Sequence, residues 1–358
     1  KALSGFIKSD QFLGFENKPI SSLRALSYLN NPNANPDDVV LYMAFDTDIL
    51  VGYRTIWRDK YWFFKNSKSF GWLSGNWVHN DYRRKGVSTA LFNEVYKDWD
   101  AKLMYTNYAL NSKLLYDKTG CFSKIKSLVG TRFYTRFCLS EILIHKHKMF
   151  FYLKFFLTIL DFFFNLMLDI RFMFLKKTKI KSEIRKDENW TNEIDLFLKD
   201  FKNKEFFKRD KTNYQWIKNF PWISEYDLQK KEALEYYFSV YAKNFQSNYY
   251  TFYNSNNELI AFIWLSFRDG HLKIPYVYFE KENLDIVVDF ITDKVKRKKV
   301  KTILVYHHEI ESALNKKMFC ITKKTFYQNF FATNNLELNS KDIDNKKIQS
   351  GNGDVIFT

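Results

Sequence analysis

Glycine and proline are scarce in this chain, with 11 and 5 among 358 residues. So little loop punctuation leaves no disordered tract and fits a globular composition. Cysteine is scarcer still. Cys121, Cys138 and Cys320 lie far apart without CxxC spacing. That argues against a zinc site or a disulfide framework and fits a reducing compartment, so a cytoplasmic protein without a metal is expected. No Ser-His-Asp order, metal-ligand cluster or Walker motif appears. No secretory signal opens the sequence, which begins at Lys1 rather than Met and leaves any preceding piece unread.

What is present is aromatic and basic. Phenylalanine (37), tyrosine (23) and tryptophan (9) bring the aromatic share to 19%, within a chain that is 46% hydrophobic and 27% charged. This is ample material for one or two globular domains. The net charge of +16 suits an acidic partner: nucleic acid, an anionic membrane surface or a phosphorylated substrate. The cations cluster at residues 145–148, 176–181 and 294–301. The last group follows the amphipathic run Ile286, Val287, Phe290 and Ile291, and reads as a solvated helix end.

The most informative stretch runs from Trp72 to Phe122. A strand-like run, Trp72–Val78, meets the basic turn Arg83-Arg84-Lys85-Gly86-Val87-Ser88, which opens into a helix through Trp99. Val87, Leu91 and Val95 form its core face. The first N–H groups of a helix lack intrahelical partners and the dipole favours an anion there. Gly86 permits close backbone approach and three cations stand beside it, so a pyrophosphate is the natural ligand. Lys102–Tyr108 then reads as a buried strand and Asn111–Thr119 as a short helix closed by Gly120.

Two segments carry a family resemblance. Arg83-x-x-Gly86-x-Ser88 is similar to the Gln/Arg-x-x-Gly-x-Gly/Ala loop of GNAT N-acetyltransferases, with serine at the last position. Leu115-Tyr116-Asp117-Lys118-Thr119-Gly120-Cys121-Phe122 resembles their Leu-Tyr-Glu-x-x-Gly-Phe, with Cys121 inserted before the phenylalanine. The resemblance implies acetyl-CoA as co-substrate, held by Arg83, Arg84, Lys85, Gly86, Val87, Ser88 and Thr89. It makes the Val78 N–H the donor to the acyl carbonyl and Tyr116 the acid toward the departing thiolate. The family often has an asparagine seven residues before that tyrosine. Ala109 stands there, flanked by Asn107 and Asn111, and we assign Asn111 to the coenzyme. No general base is marked; His79 and Asp81 lie close by in sequence.

Residues 149–175 read MFFYLKFFLTILDFFFNLMLDIRFMFL. Their polar members, Lys154, Thr158, Asp161, Asn165 and Asp169, fall on one narrow helical stripe. Asp161 near the middle argues against a membrane-spanning helix. Two readings stand: a helix packed between two units with its polar stripe to solvent, or an interfacial helix on an anionic bilayer held by flanking lysines. The abundance of phenylalanine favours packing.

After Lys181 the order of strands and helices repeats, but the corresponding turn, Glu280-Lys281-Glu282-Asn283, is acidic. The expected architecture is mixed α/β: a GNAT domain over 1–140, the apolar helix within 141–180, and a second GNAT-like fold without a phosphate loop over 181–358. The expected activity is acyl transfer, chiefly acetyl, to an amine such as an amino sugar or a lipid-linked amine, with peripheral membrane contact through 149–175 if the helix is interfacial. Nucleic acid enters only in the alternative reading, a Fem-like aminoacyl-tRNA-dependent peptidyltransferase; a non-catalytic GNAT-like binding module is the other alternative.

Overall fold

A computed structural model describes residues 2–63, 66–106, 110–173, 182–186, 190–225, 236–338 and 343–358. The strands are β1 (Leu41–Asp46), β2 (Ile49–Phe63), β3 (Asn66–Val78), β4 (Leu103–Thr106), β5 (Phe122–Tyr134), β6 (Glu183–Lys186), β7 (Ile223–Glu225), β8 (Val240–Ala242), β9 (Phe245–Tyr253), β10 (Leu259–Arg268), β11 (His271–Phe279), β12 (Thr302–Val305) and β13 (Thr322–Thr333). The helices are α1 (Ala2–Phe6), α2 (Asp10–Gly14), α3 (Ser22–Leu29), α4 (Val87–Asp98), α5 (Leu110–Thr119), α6 (Leu139–Lys146), α7 (Lys154–Met173), α8 (Asn192–Asn203), α9 (Lys211–Asn219), α10 (Leu284–Arg297) and α11 (His308–Lys317).

The chain forms two compact units. The first gathers Lys1–Leu128, Trp190–Phe245 and Gln328–Thr358; the second gathers Val129–Asn189 and Gln246–Tyr327. In the first, β1, β2 and β3 make an antiparallel meander. A crossover through α4 then places β4 parallel to β3. The outer neighbour of β4 is the far end of β13, with Phe330 opposite Thr106 and Ala332 opposite Met104. Leu91, Phe92 and Val95 of α4 bury themselves against Ile56, Leu73, Leu103 and Tyr105. Gly52 allows this close approach, because a Cβ there would meet Val87 Cγ1 at 2.8 Å.

Later segments are tied into this unit by buried polar bonds. Arg209 grips Asp59 with two 2.6 Å bonds, and Trp72 Nε1 donates to the same carboxylate at 2.8 Å. Trp216 Nε1 donates to the Ser27 carbonyl at 2.7 Å. Its helix, α9, has a firmly fixed start at Lys211. The reason is a capping box: Asp210 accepts from Asn213 N, and the Asn213 side chain accepts from Asp210 N.

The second unit repeats the order. β9, β10 and β11 precede α10, β12 and α11, with β10–β11 antiparallel and β11–β12 parallel. The neighbour closing β12 is the end of β5, where Thr302 faces Tyr134 and Val305 faces Thr131. Each half's fourth strand is thus completed by a strand from the other half of the sequence. Each contact unit therefore gathers segments from both halves of the sequence.

Helix α7 packs in the second unit with the opposite orientation to the packed reading. From Asp161 onward its polar stripe faces the protein, while Lys154 and Thr158 are exposed. Asp161 accepts from the N–H groups of Leu139 (2.7 Å) and Ser140 (2.9 Å), so its carboxylate caps the N-terminus of α6. Asn165 both accepts from Phe137 N and donates to Phe137 O. Asp169 pairs with Arg136 and with Lys299. The apolar face is left outside: Phe155 is 80% exposed, Phe162 64% and Phe163 57%. Among the described residues, no helix is long and apolar enough to cross a membrane.

Candidate active site

Strand β3 ends at Val78, and its last residues are where the sheet opens. Val78 stands opposite Gly52 on β2, and it is the next N–H, that of His79, which bonds to the Val51 carbonyl. Successive N–H groups of a strand point to opposite sides, so the Val78 N–H points away from β2, toward the side of β4. There β3 pairs with β4 at Gly71 and Trp72. Among the described residues, no ladder pair joins β3 to β4 from Leu73 to Val78.

The chain then turns through a short 3-10 segment, Asn80–Tyr82, and enters α4. Two residues of the turn are left-handed, Arg84 (φ 65°) and Gly86 (φ 86°). Gly86 is the N-cap of α4 and has no side chain to offer its first N–H groups. A Cβ built on it meets nothing within 4 Å, so the space before the helix is open. Arg83, Arg84 and Lys85 are exposed around it, with Val87 and Ser88 half-buried and Thr89 exposed. Arg83 Nε reaches back to the Val78 carbonyl at 3.4 Å, and Lys85 Nζ lies 4.9 Å from the centre of the Tyr82 ring. Uncapped N–H groups, the positive end of a helix dipole and three cations on one open turn form an anion receptor.

Tyr116 sits in the core beside this strand, 5% exposed, with Tyr105, Phe92 and Phe122 around its ring. Its hydroxyl oxygen accepts a 2.9 Å bond from Arg54 Nη1. Arg54 was not singled out by the sequence motifs, although a cation inside the apolar run of β2 is a signal in its own right. It is 1% exposed, and no carboxylate lies within ion-pair distance of it among the described residues. Among the described residues, its Nε and Nη2 have no hydrogen-bond partner. The guanidinium instead lies 5.6 Å from the Phe92 ring and 5.7 Å from the Tyr116 ring. Arg54 faces Asn76 across the ladder, and Asn76 exchanges hydrogen bonds with Ser88 at 3.1 and 3.3 Å. The first turn of α4, the open edge of β3 and Tyr116 are therefore linked through Asn76 and Arg54.

The other expected residues fall differently. His79 caps the 3-10 segment by accepting from Asp81 N at 3.4 Å, with Asp81 Oδ2 3.8 Å from its Nδ1, so both serve the turn's own geometry. The side chain of Asn111 lies outside the described residues, as do Asn107 and Ala109 entirely. A cavity of about 520 Å³ lined by Arg58, Lys68, Asp98, Lys102 and Glu337 touches the opposite end of β3 and none of the expected residues. In the second repeat, the segment after β11 presents exposed Glu280 to the solvent and leads through Lys281–Asn283 into α10, without glycine or a basic cluster.

The profile of the acetyltransferase (GNAT) family matches residues 9–116. No curated protein matches the chain in sequence. Among solved structures, a conserved Enterococcus faecalis protein described as a probable N-acyltransferase superposes with a TM-score of 0.51 at 9% identity, over 92% of this chain and 69% of its own. A GCN5-related N-acetyltransferase from Anabaena variabilis gives 0.46 at 9% identity, over 82% and 62%. A tandem GNAT protein from the clavulanic acid biosynthesis pathway gives 0.43 at 9%, over 86% and 87%. The family profile covers the meander, the basic turn, α4 and the segment to Tyr116, the elements that build the open edge and the anion receptor. Residues 9–116 are a GNAT-family acyltransferase domain.

Proposed function

We propose that the chain transfers an acyl group, acetyl in the first instance, from acyl-CoA to an amine. The observation that carries this reading is the uncapped, left-handed entry into α4 at Gly86, directly after a strand whose Val78 N–H points away from its ladder. Coenzyme A supplies the activated thioester. Arg83, Arg84, Lys85 and the N–H groups of Val87, Ser88 and Thr89 hold its pyrophosphate, and Asn111 is the further coenzyme contact proposed from the sequence. The Val78 N–H donates to the acyl carbonyl oxygen, where negative charge grows as the amine attacks. Tyr116 gives its hydroxyl proton to the sulfur as the C–S bond breaks, and the amine's proton passes to solvent. Arg54 donates to the Tyr116 oxygen, so the phenol's own proton is directed elsewhere and its bond is polarised. The rest is proximity of two bound reactants.

The net charge of +16 keeps one alternative in view, an aminoacyl-tRNA donor. A tRNA user has no need of a pyrophosphate receptor, so the turn favours coenzyme A. Thermal melting with each ligand separates the two. Acetyl-CoA at about 100 times its Kd should stabilise the fold by about 2.7 kcal/mol. Stabilisation by aminoacyl-tRNA and none by acetyl-CoA would reverse the assignment.

A further inference from the structure

The helix α7 exposes what a helix ordinarily buries and buries what it ordinarily exposes. Phe155, Phe156, Phe162, Phe163, Met167 and Ile170 form one continuous stripe, each between 50% and 80% exposed. The helix cannot roll to hide them. Asp161 caps α6, Asn165 bonds both polar groups of the Phe137 backbone, and Asp169 is held by Arg136 and Lys299. Rolling would strip these groups of their partners and bury them unsatisfied. The outward orientation is therefore fixed by the fold. An apolar stripe along a helix of 20 residues exceeds what a chain leaves in water without a partner.

We propose that this face is a docking surface for an anionic lipid bilayer, on which α7 lies flat. Charge identifies the occupant. The N-terminal end of the stripe is flanked by exposed Lys146, Lys148 and Lys154, and the C-terminal end by exposed Arg171. The acidic residues of the helix, Asp161 and Asp169, are turned inward and engaged. A second copy of the chain would bring cations against cations in either orientation of two paired helices, which disfavours self-association. A negatively charged headgroup layer accepts both features at once, with aromatic and aliphatic side chains entering the acyl boundary and lysines remaining among the phosphates. The surface belongs to the second unit and does not depend on the reading of acyl transfer.

Flotation of the full chain with vesicles tests this. At low salt the protein should float with vesicles of mixed phosphatidylglycerol and phosphatidylcholine, float poorly with phosphatidylcholine alone, and be released by salt. The double variant Phe155→Ser/Phe162→Ser should lose at least about tenfold in vesicle affinity with an unchanged melting temperature, because both side chains project from the protein. Lys148→Gln/Lys154→Gln should weaken binding to the anionic vesicles only. Wild-type protein that stays behind with anionic vesicles at low salt, or a double variant that floats as well as wild type, would overturn the proposal. So would a dimer in sedimentation velocity that the Phe155→Ser/Phe162→Ser substitutions dissolve, which assigns the face to a second copy.

Discussion

Arg54 is the residue whose position most needs a reason. A guanidinium cannot shed its proton, and burying it with one neutral acceptor and two idle nitrogens lowers stability. Its bond to Tyr116 supplies the reason if the phenol serves as an acid. Arg54→Met should then leave the melting temperature unchanged or raised, while kcat falls. The loss should shrink with an acetyl thioester of a more acidic thiol, which leaves without needing a proton; equal losses with both donors would remove Arg54 from the mechanism. Tyr116→Phe should lower kcat by about 10²-fold with acetyl-CoA affinity intact, as measured by single-turnover kinetics and calorimetry. Elsewhere, Glu141 is held down to about pKa 2 by His271, whose Nε2 stands 3.7 Å from its carboxylate, and by Lys301. A carboxylate depressed in the fold adds stability above its unfolded pKa near 4.5, and that contribution disappears as pH falls toward 2. Melting curves of wild type and Glu141→Gln should differ at pH 6 and converge as the pH approaches 2; a difference that persists there would contradict the assignment.

At the level of elements, α4 and α7 show what a sequence reveals and what it hides. The entry to α4 was legible because its chemistry is local: a glycine that must be left-handed, flanking cations and a strand before it. The spacing of Val87, Leu91 and Val95 likewise forecast the buried face, since periodicity depends only on helix geometry. For α7 the same geometry located the polar stripe correctly, but periodicity does not say which side is inside. That was decided by partners distant in sequence, the α6 N-terminus, Phe137 and Arg136. Arg54 and Asn76 escaped the motifs for a similar reason. Their contacts come from cross-strand register and from side chains on α4 and α5. The exchange of closing strands, β13 onto β4 and β5 onto β12, is a choice of pairing that alternation within a strand leaves open.

For the whole molecule, the compact units depend on contacts made by segments far apart in the chain. The Asp59–Arg209 pair, with Asp59 0% and Arg209 3% exposed, joins the first meander to residues beyond 190. Removing one partner strands a buried charge, so Arg209→Ala should cost about 3–5 kcal/mol in urea unfolding. A cost below about 1 kcal/mol would show that Asp59 finds water instead. The two repeats also set the central test. Their strand and helix orders match, yet only the first carries a glycine-centred basic turn, while the second offers an acidic one. Isothermal calorimetry with acetyl-CoA on the whole chain measures both facts at once. The account predicts one site per chain, abolished by Gly86→Glu, which adds a like charge and a strained left-handed side chain where the pyrophosphate would sit. Two sites per chain, or an affinity unchanged by Gly86→Glu, would contradict it.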